Sequence, residues 1–401
     1  MARRVLLVNK FYYARGGDCV VVLNTEALLR ENGVEAQVFA MEYPQNLPAH
    51  YQDQFAPAVD FAGGAADKWR ALKRTLGLGD VRKRFEAVLD DFKPDVVHLH
   101  NIHSYLSPVV GEIAHKRGLR VVWTLHDYKL LCPRYDCMLD GKPCEKCLKG
   151  SKGNVITHKC MKDSLPASVV AWLEAVKWNR KTLEKNTDVF LCPSEFIAAK
   201  MLEGGFDRAK VKVLNNFLDP VKLNHYQGID RSMPREDYYC YVGRLSPEKG
   251  IEQLLEVASR LPYRLKVAGS GPLSSALHDK YDQCSNIEFL GTLDAVGVAR
   301  LLAGAHLSVM PSQCYDNNPL SVVESLCAGT PVAGARIGGI PELIDSGNGI
   351  VFQPFDHETL STAITMSMTR QWNHDEIARQ ALVRFAPERH LQALMNEVYV
   401  L

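Results

Sequence analysis

Short apolar runs of strand length alternate along this chain with longer stretches whose apolar residues recur at helical spacing. In the first half the runs fall at residues 5–8, 35–39, 96–99, 121–125 and 189–192. In the second half they fall at 239–242, 264–268, 287–290, 307–310 and 332–335. Short runs of this kind predict parallel strands buried between layers of helix. Residues 23–31 predict the first helix, closed by Gly33 just after Asn32. The alternation predicts an α/β fold of βα units with a parallel sheet, once in each half.

The stretch 215–235 interrupts the pattern. It is rich in Asn, Asp and Pro and has no clean period, so it is the expected boundary. The expected domains are then 1–220 and 235–385, followed by a helical segment at 386–401. Length agrees, since 401 residues are too many for one compact core.

Composition adds exclusions. Hydrophobic residues make up 46% and charged residues 23%, ordinary for a soluble globular protein. A net charge of +1 gives no bulk electrostatic reason to bind nucleic acid. The N-terminal apolar run is broken by Asn9-Lys10, too early for a signal peptide, and reads as a first buried strand. No run approaches the roughly 18 apolar residues of a membrane span. Eleven cysteines without a secretory signal predict a reducing cytoplasm.

In an open parallel sheet, ligands bind beyond the carboxyl ends of the strands. The residues that follow each run are therefore the candidates. After the first run come Gly16-Gly17-Asp18 and a helix, a place where backbone can approach an anion. His100, Asn101 and His103 follow the third run, and His126 and Asp127 follow the fourth. A histidine there is often only a hydrogen-bonded turn residue, but successive strands ending in histidine point to a shared polar site. In the second half, Gly243-Arg244 leads to Lys249-Gly250 across a turn, a fork and a point charge suited to a diphosphate. Gly269-Ser270-Gly271 ends the next run. Asp316-Asn317-Asn318-Pro319-Leu320 and Glu324 form a polar turn that opens a helix.

Taken in order, these motifs resemble the retaining glycosyltransferases of family GT4, over nearly the whole chain. The resemblance implies a GT-B fold, two Rossmann-like domains with parallel sheets facing across a cleft. It implies a UDP- or GDP-sugar held mainly by the C-terminal domain, and a glycan or lipid-linked acceptor taken by the N-terminal one. Arg244 and Lys249 then match the pair that neutralises the donor diphosphate, which needs no catalytic metal. Glu324 matches the acid that holds the ribose hydroxyls. Gly243, Gly269, Asn317, Asn318, Pro319 and Leu320 would line the donor. His126 matches the histidine near the reacting sugar, and Gly16 and Gly17 the loop that closes over phosphate and acceptor. His100, Asn101, His103 and Asp127 are acceptor candidates. The final helical segment is expected to pack back on the N-terminal domain.

One position departs from the pattern. The first acid of the family motif is most often Glu, and here it is Asp316. Its reach is shorter by one methylene, roughly 1.5 Å. The expected chemistry is front-face transfer through an oxocarbenium-like state, with Asp316 and Glu324 as binding groups and neither as a covalent nucleophile. A sugar-nucleotide epimerase, a phosphorylase of the same fold and a non-catalytic nucleotide-sugar-binding scaffold are the alternatives. A Rossmann dehydrogenase is disfavoured, because no Gly-x-Gly-x-x-Gly opens the first helix.

Two further features lie outside the motifs. An insert at 132–160 contains Cys132, Cys137, Cys144, Cys147 and Cys160, and Cys144-Glu145-Lys146-Cys147 has zinc-knuckle spacing. By resemblance to inserts in some members of the family, Cys132, Cys144, Cys147 and Cys160 are the expected structural zinc ligands, with Cys137 or His158 as substitutes. Free thiols or disulfides are the other readings. Lys68, Arg70, Lys73, Arg74, Arg82, Lys83 and Arg84, interleaved with Trp69, Leu72 and Leu76, suit peripheral contact with an anionic membrane at the inner face. A surface helix with its charges in water is the plainer reading.

Overall fold

The computed structural model describes residues 2–231 and 234–400. Met1 and Leu401, the outer ends of the expected terminal segments, lie outside the described residues, as do Ser232 and Met233 in the expected boundary. The chain separates into two units. The first comprises residues up to Cys137, Cys144–Asn215 and those from His390 onward; the second comprises Met138–Pro143 and Asn216–Arg389.

Each unit is built on a parallel sheet. In the first lie β1 (Arg4–Val8), β2 (Glu35–Phe39), β3 (Val96–Leu99) and β4 (Arg120–Thr124). A short antiparallel hairpin of β5 (Met138–Leu139) and β6 (Lys142–Pro143) falls inside the cysteine insert. β7 (Val189–Cys192) and β8 (Val211–Val213) complete the sheet in the order β2-β1-β3-β4-β7-β8. The second unit has β9 (Tyr238–Val242), β10 (Arg264–Ala268), β11 (Ile287–Gly291), β12 (Leu307–Met310), β13 (Val332–Ala335) and β14 (Gly349–Phe352). Their order is β11-β10-β9-β12-β13-β14. Every residue of β3, β7, β12 and β13 is buried, as continuously apolar runs require.

Apart from the short hairpin β5–β6, the strands that the apolar pattern misses are edge strands. β8 alternates Val211-Lys212-Val213 and is partly exposed, and β14 starts on Gly349. The first helix is also longer than expected, running Gly17–Glu31. Its opening turns contain Val20-Val21-Val22, β-branched residues that favour strand in isolation. Burial of Cys19, Val22, Glu26 and Leu29 shows the helical stripe that overrides them. The end matches expectation, with Asn32 as the cap and Gly33 at φ +77°.

Both sheets reverse direction once. In the first, the chain winds outward from β1 to β2, then returns to place β3 on the other side of β1. In the second, it winds from β9 through β10 to β11, then returns to place β12 beside β9. A crevice opens beyond the carboxyl ends of the strands at such a reversal, and it is where doubly wound sheets bind ligands. The chain's last turns belong to the first unit: Leu394, Val398 and Tyr399 are buried in one core with Val5, Leu7, Val96 and Val122.

Candidate active site

In the second unit, the reversal point brings the ends of β9 and β12 together. Gly250 sits at φ +68°, and a Cβ there would meet the Pro311 carbonyl oxygen at 1.9 Å. Only glycine lets the loop carrying Lys249 pack so closely on the loop leaving β12. The Gln313 amide adds a bond to the Glu248 carbonyl at 2.9 Å. Gly269 does the same beside β10, at φ +137°, where a Cβ would meet the Gly243 carbonyl oxygen at 1.9 Å.

These close contacts hold a small charged cluster. Lys249 Nζ lies 2.5 Å from Asp316 Oδ1, and Ser312 Oγ donates to Asp316 Oδ2 at 2.6 Å. Asp316 is also fixed through its backbone, because its carbonyl accepts from the Gly339 amide at 2.7 Å. Burial pulls the Lys249 ammonium down, but Asp316 outweighs it and the net shift is upward, so the lysine stays charged. Arg244 is exposed, with no ion pair among the described residues.

Glu324 lies in the helix Leu320–Cys327 with Pro319 as its N-cap. The first amides of such a helix have no acceptor inside it. Glu324 is buried and pairs with Lys222 Nζ at 2.6 Å. Asn318 is pinned by Asn216, whose amide donates to Asn318 Oδ1 at 3.0 Å and whose side chain donates to the Asn318 carbonyl at 2.9 Å. Asn318 Nδ2 is left buried without a partner among the described residues. Sequence reasoning missed Ser312, Lys222 and Asn216. The first follows β12 directly and could have been found; the others sit in the stretch set aside as a boundary.

In the first unit, β3 and the ends of β3 and β4 carry the histidines. His100 Nδ1 lies 3.0 Å from His126 Nε2, with the rings stacked at 5.3 Å. His98 is an internal prop, bonded to Thr124 Oγ1 at 2.7 Å and to the Tyr399 hydroxyl at 2.6 Å. His103 stacks on Trp123 at 5.2 Å and stands 3.8 Å from Asp127. Trp123 in turn donates to the His100 carbonyl at 2.9 Å. Burial pushes His126 down to about 4 and His98 to about 3, and it holds His100 and His103 well below the ordinary imidazole value. The cluster is therefore neutral at pH 7. Burial raises the Asp127 carboxyl.

Asn101 is held between the strands. Its amide donates to Asn9 Oδ1 at 3.1 Å, and its side chain donates to Asp18 Oδ2 at 2.5 Å. Asp18 is the missed residue here. Burial alone would raise its carboxyl, but His126, Lys10 and the Asn101 bond together lower it. With His126 neutral, Lys10 and Asn101 carry that effect near pH 7. Beside it, a Cβ on Gly17 would meet no protein atom within 4 Å. The sequence showed Asp18 after the glycines, but nothing in it linked that carboxylate to Asn101.

The cysteine insert does not assemble as a metal cage. Among the described residues, no group of three or more His, Cys, Asp or Glu side chains is placed to hold a metal ion. The Cys132 thiol is instead hydrogen-bonded to Cys137, which draws Cys132 down and Cys137 up. Cys144 and Cys160 are half-exposed while Cys132 and Cys147 are buried. The four expected zinc ligands are near enough that Cys132, Cys144 and Cys160 all act on the Cys147 thiol, but they are not gathered into a metal-holding group.

The basic run is also divided. Arg74 is buried, bonded to Asp80 at 2.9 Å and to the Pro57 and Tyr105 carbonyls. Arg84 bonds the Phe55 carbonyl at 2.9 Å. These two are structural, and Lys68, Arg70, Lys73 and Lys83 remain exposed. Among the described residues, no helix is long and apolar enough to cross a membrane.

Comparison with known proteins supplies the frame. Residues 15–222 match the family described as Glycosyltransferase Family 4, and residues 229–388 match Glycosyl transferases group 1. The chain is 28% identical to an uncharacterized 42.6 kDa protein in the cps region of Klebsiella pneumoniae, over 94% of this chain and 98% of that one. It is 27% identical to a sulfoquinovosyl transferase of Arabidopsis thaliana, over 56% of this chain and 45% of that protein. Among solved structures, HepE of Anabaena in complex with UDP-glucose aligns over 99% of this chain and 100% of that one, with a TM-score of 0.63 at 17% identity. WaaG, a glycosyltransferase involved in lipopolysaccharide biosynthesis, aligns over 98% of this chain and 96% of that one, with a TM-score of 0.60 at 16% identity.

Proposed function

The chain belongs to glycosyltransferase family 4 and has two Rossmann-like domains of the GT-B fold, and from that premise we propose that it moves a sugar from a nucleoside diphosphate donor to an acceptor hydroxyl with retention of configuration. The donor is a UDP- or GDP-sugar; the HepE complexes with UDP and UDP-glucose favour the former. The acceptor is a glycan or a lipid-linked glycan of a bacterial surface polymer. The observation that carries this reading is the Lys249–Asp316–Ser312 cluster at the reversal of the second sheet.

The roles follow from charge. Departure of a nucleoside diphosphate leaves two negative charges to be met. Arg244, exposed and without an ion pair among the described residues, and Lys249, held charged, meet them with protein cations. Asp316, fixed by Ser312, receives a donor-sugar hydroxyl. Glu324 exchanges Lys222 for the ribose hydroxyls, and the free amides behind Pro319 donate to phosphate oxygens. His126, neutral at working pH, offers a hydrogen bond to a hydroxyl of the reacting sugar without adding charge. A donor phosphate oxygen takes the proton of the attacking hydroxyl, so no protein carboxylate forms a bond to carbon.

We place the enzyme in the cytoplasm, in peripheral contact with the anionic inner face of the membrane. Exposed Lys68, Arg70 and Lys73 beside exposed Trp69 support that placement. A panel of nucleotide sugars followed by thermal shift tests the function. One UDP- or GDP-sugar should stabilise the protein, and transfer with it should persist in EDTA. An epimerase would instead convert that donor with no acceptor present, and a scaffold would bind it without turnover.

A further inference from the structure

Rings gather on the first unit where no motif predicted them. Phe11 and Tyr13 come from the loop after β1, Tyr43 from the loop after β2 and Tyr105 from the loop after β3. Phe11 lies 5.6 Å from Tyr13, 5.1 Å from Tyr43 and 6.1 Å from Tyr105. Tyr13 and Tyr43 are 6.1 Å apart. Phe61, 39% exposed, extends the row to 5.3 Å from Tyr105. Phe11 is buried beneath, while Tyr13, Tyr43 and Tyr105 are only half-buried.

Cations border these rings. The Arg15 guanidinium lies 4.2 Å from the Phe11 ring centre, and Lys10 Nζ lies 5.5 Å from Phe11 and 5.4 Å from Tyr105. Neither Arg15 nor Lys10 has an ion pair among the described residues. A core would bury such rings under aliphatic side chains. Here half-exposed phenols share the strand-end face that carries Asn101 and His100 with two cations that make no close ion pair, Lys10 acting on the Asp18 and Asp127 carboxyls only from farther off.

We propose that this face is a binding site for a pyranose that carries an adjoining negative charge. The apolar face of a sugar ring stacks on aromatic rings, the phenol hydroxyls bond its hydroxyls, and Arg15 and Lys10 take the anion. The anion is the diphosphate of a lipid-linked sugar or the carboxylate of an acidic sugar. The site rests on the glycosyltransferase reading and names the chemistry of its acceptor.

Saturation-transfer NMR and titration on the full chain decide it. The probes are citronellyl-diphospho-glucose, p-nitrophenyl glucuronide and neutral p-nitrophenyl glucoside. At least one charged probe should bind about tenfold more tightly than the glucoside, and which one does so identifies the source of the charge. Tyr13→Ala and Tyr43→Ala should each weaken that probe about five- to tenfold, and Arg15→Ala should remove the preference for charge. Thermal melts confirm that the variants fold, and Tyr43→Phe, which keeps the ring, should retain most of the binding. Equal binding of charged and neutral probes, or wild-type binding by folded Tyr13→Ala and Tyr43→Ala, overturns the site. Absence of any donor-induced thermal shift overturns the donor reading instead, and leaves the probe result to stand on its own.

Discussion

Lys249 Nζ and Asp316 Oδ1 lie 2.5 Å apart at the reversal of the second sheet. The proposed donor site thus contains a cation that two anions want: its own carboxylate and the incoming diphosphate. Replacing Asp316 by Asn leaves Lys249 undivided for the diphosphate. UDP should then bind as tightly as to wild type or up to about tenfold more tightly, while transfer falls about 100-fold. Calorimetric titration of UDP beside a turnover assay checks this. Weaker UDP binding in the folded variant would show that the carboxylate does not compete.

Lys249→Ala removes the cation itself. Transfer should fall about 100- to 1,000-fold, as when one preorganised charge-stabilising group is lost. Circular dichroism should show the fold retained. Turnover like wild type would remove Lys249 from the diphosphate.

The shorter acid makes a sharper test. Glu at position 316 would push the carboxylate on by roughly 1.5 Å, away from the Ser312 hydroxyl that now fixes it. Asp316→Glu should lower kcat/KM for the native donor about 10- to 100-fold and change the order of preference among donors. Rates on a set of UDP- and GDP-sugars measure it. An unchanged order would mean that this acid does not read the sugar.

How far these residues were legible in the sequence depends on what each one touches. The buried strands were visible because parallel strands are mostly apolar, with few exceptions such as His98 and Ser308. β8 was not, because an edge strand relaxes that demand, and β14 was passed over although Ile350-Val351-Phe352 is apolar. Arg244, Lys249, Asp316 and Glu324 stood out as charges after strands. Their partners did not: Ser312 and Lys222 become meaningful only when the chain is folded, 4 and 102 positions from the acids they bind. The basic run shows the reverse failure. Sequence counts Arg74 as surface charge, but its guanidinium is buried on carbonyls that only the tertiary structure supplies.

The histidine cluster predicts an acid limit. An unfolded imidazole titrates near about 6.5. His98 at about 3 and His126 and His390 at about 4 bind protons less readily when folded. Below about pH 6.5 the unfolded chain therefore binds more protons, and stability falls as pH drops, levelling off near the folded values. Asp18, lowered in the folded state, loses its contribution as pH falls through its folded value and acts in the same direction. Thermal melts from pH 8 down to about 4 should show the decline, and His98→Gln, which cannot titrate, should make it shallower. An equally steep decline in that variant would place the acid sensitivity elsewhere.

Every role proposed for these residues presupposes retaining transfer from a nucleotide sugar. NMR of the first product formed from an α-linked UDP- or GDP-sugar, recorded before any anomerisation, tests it most directly. Retention gives an α-glycoside together with free nucleoside diphosphate. A β-glycoside as the first product would contradict it.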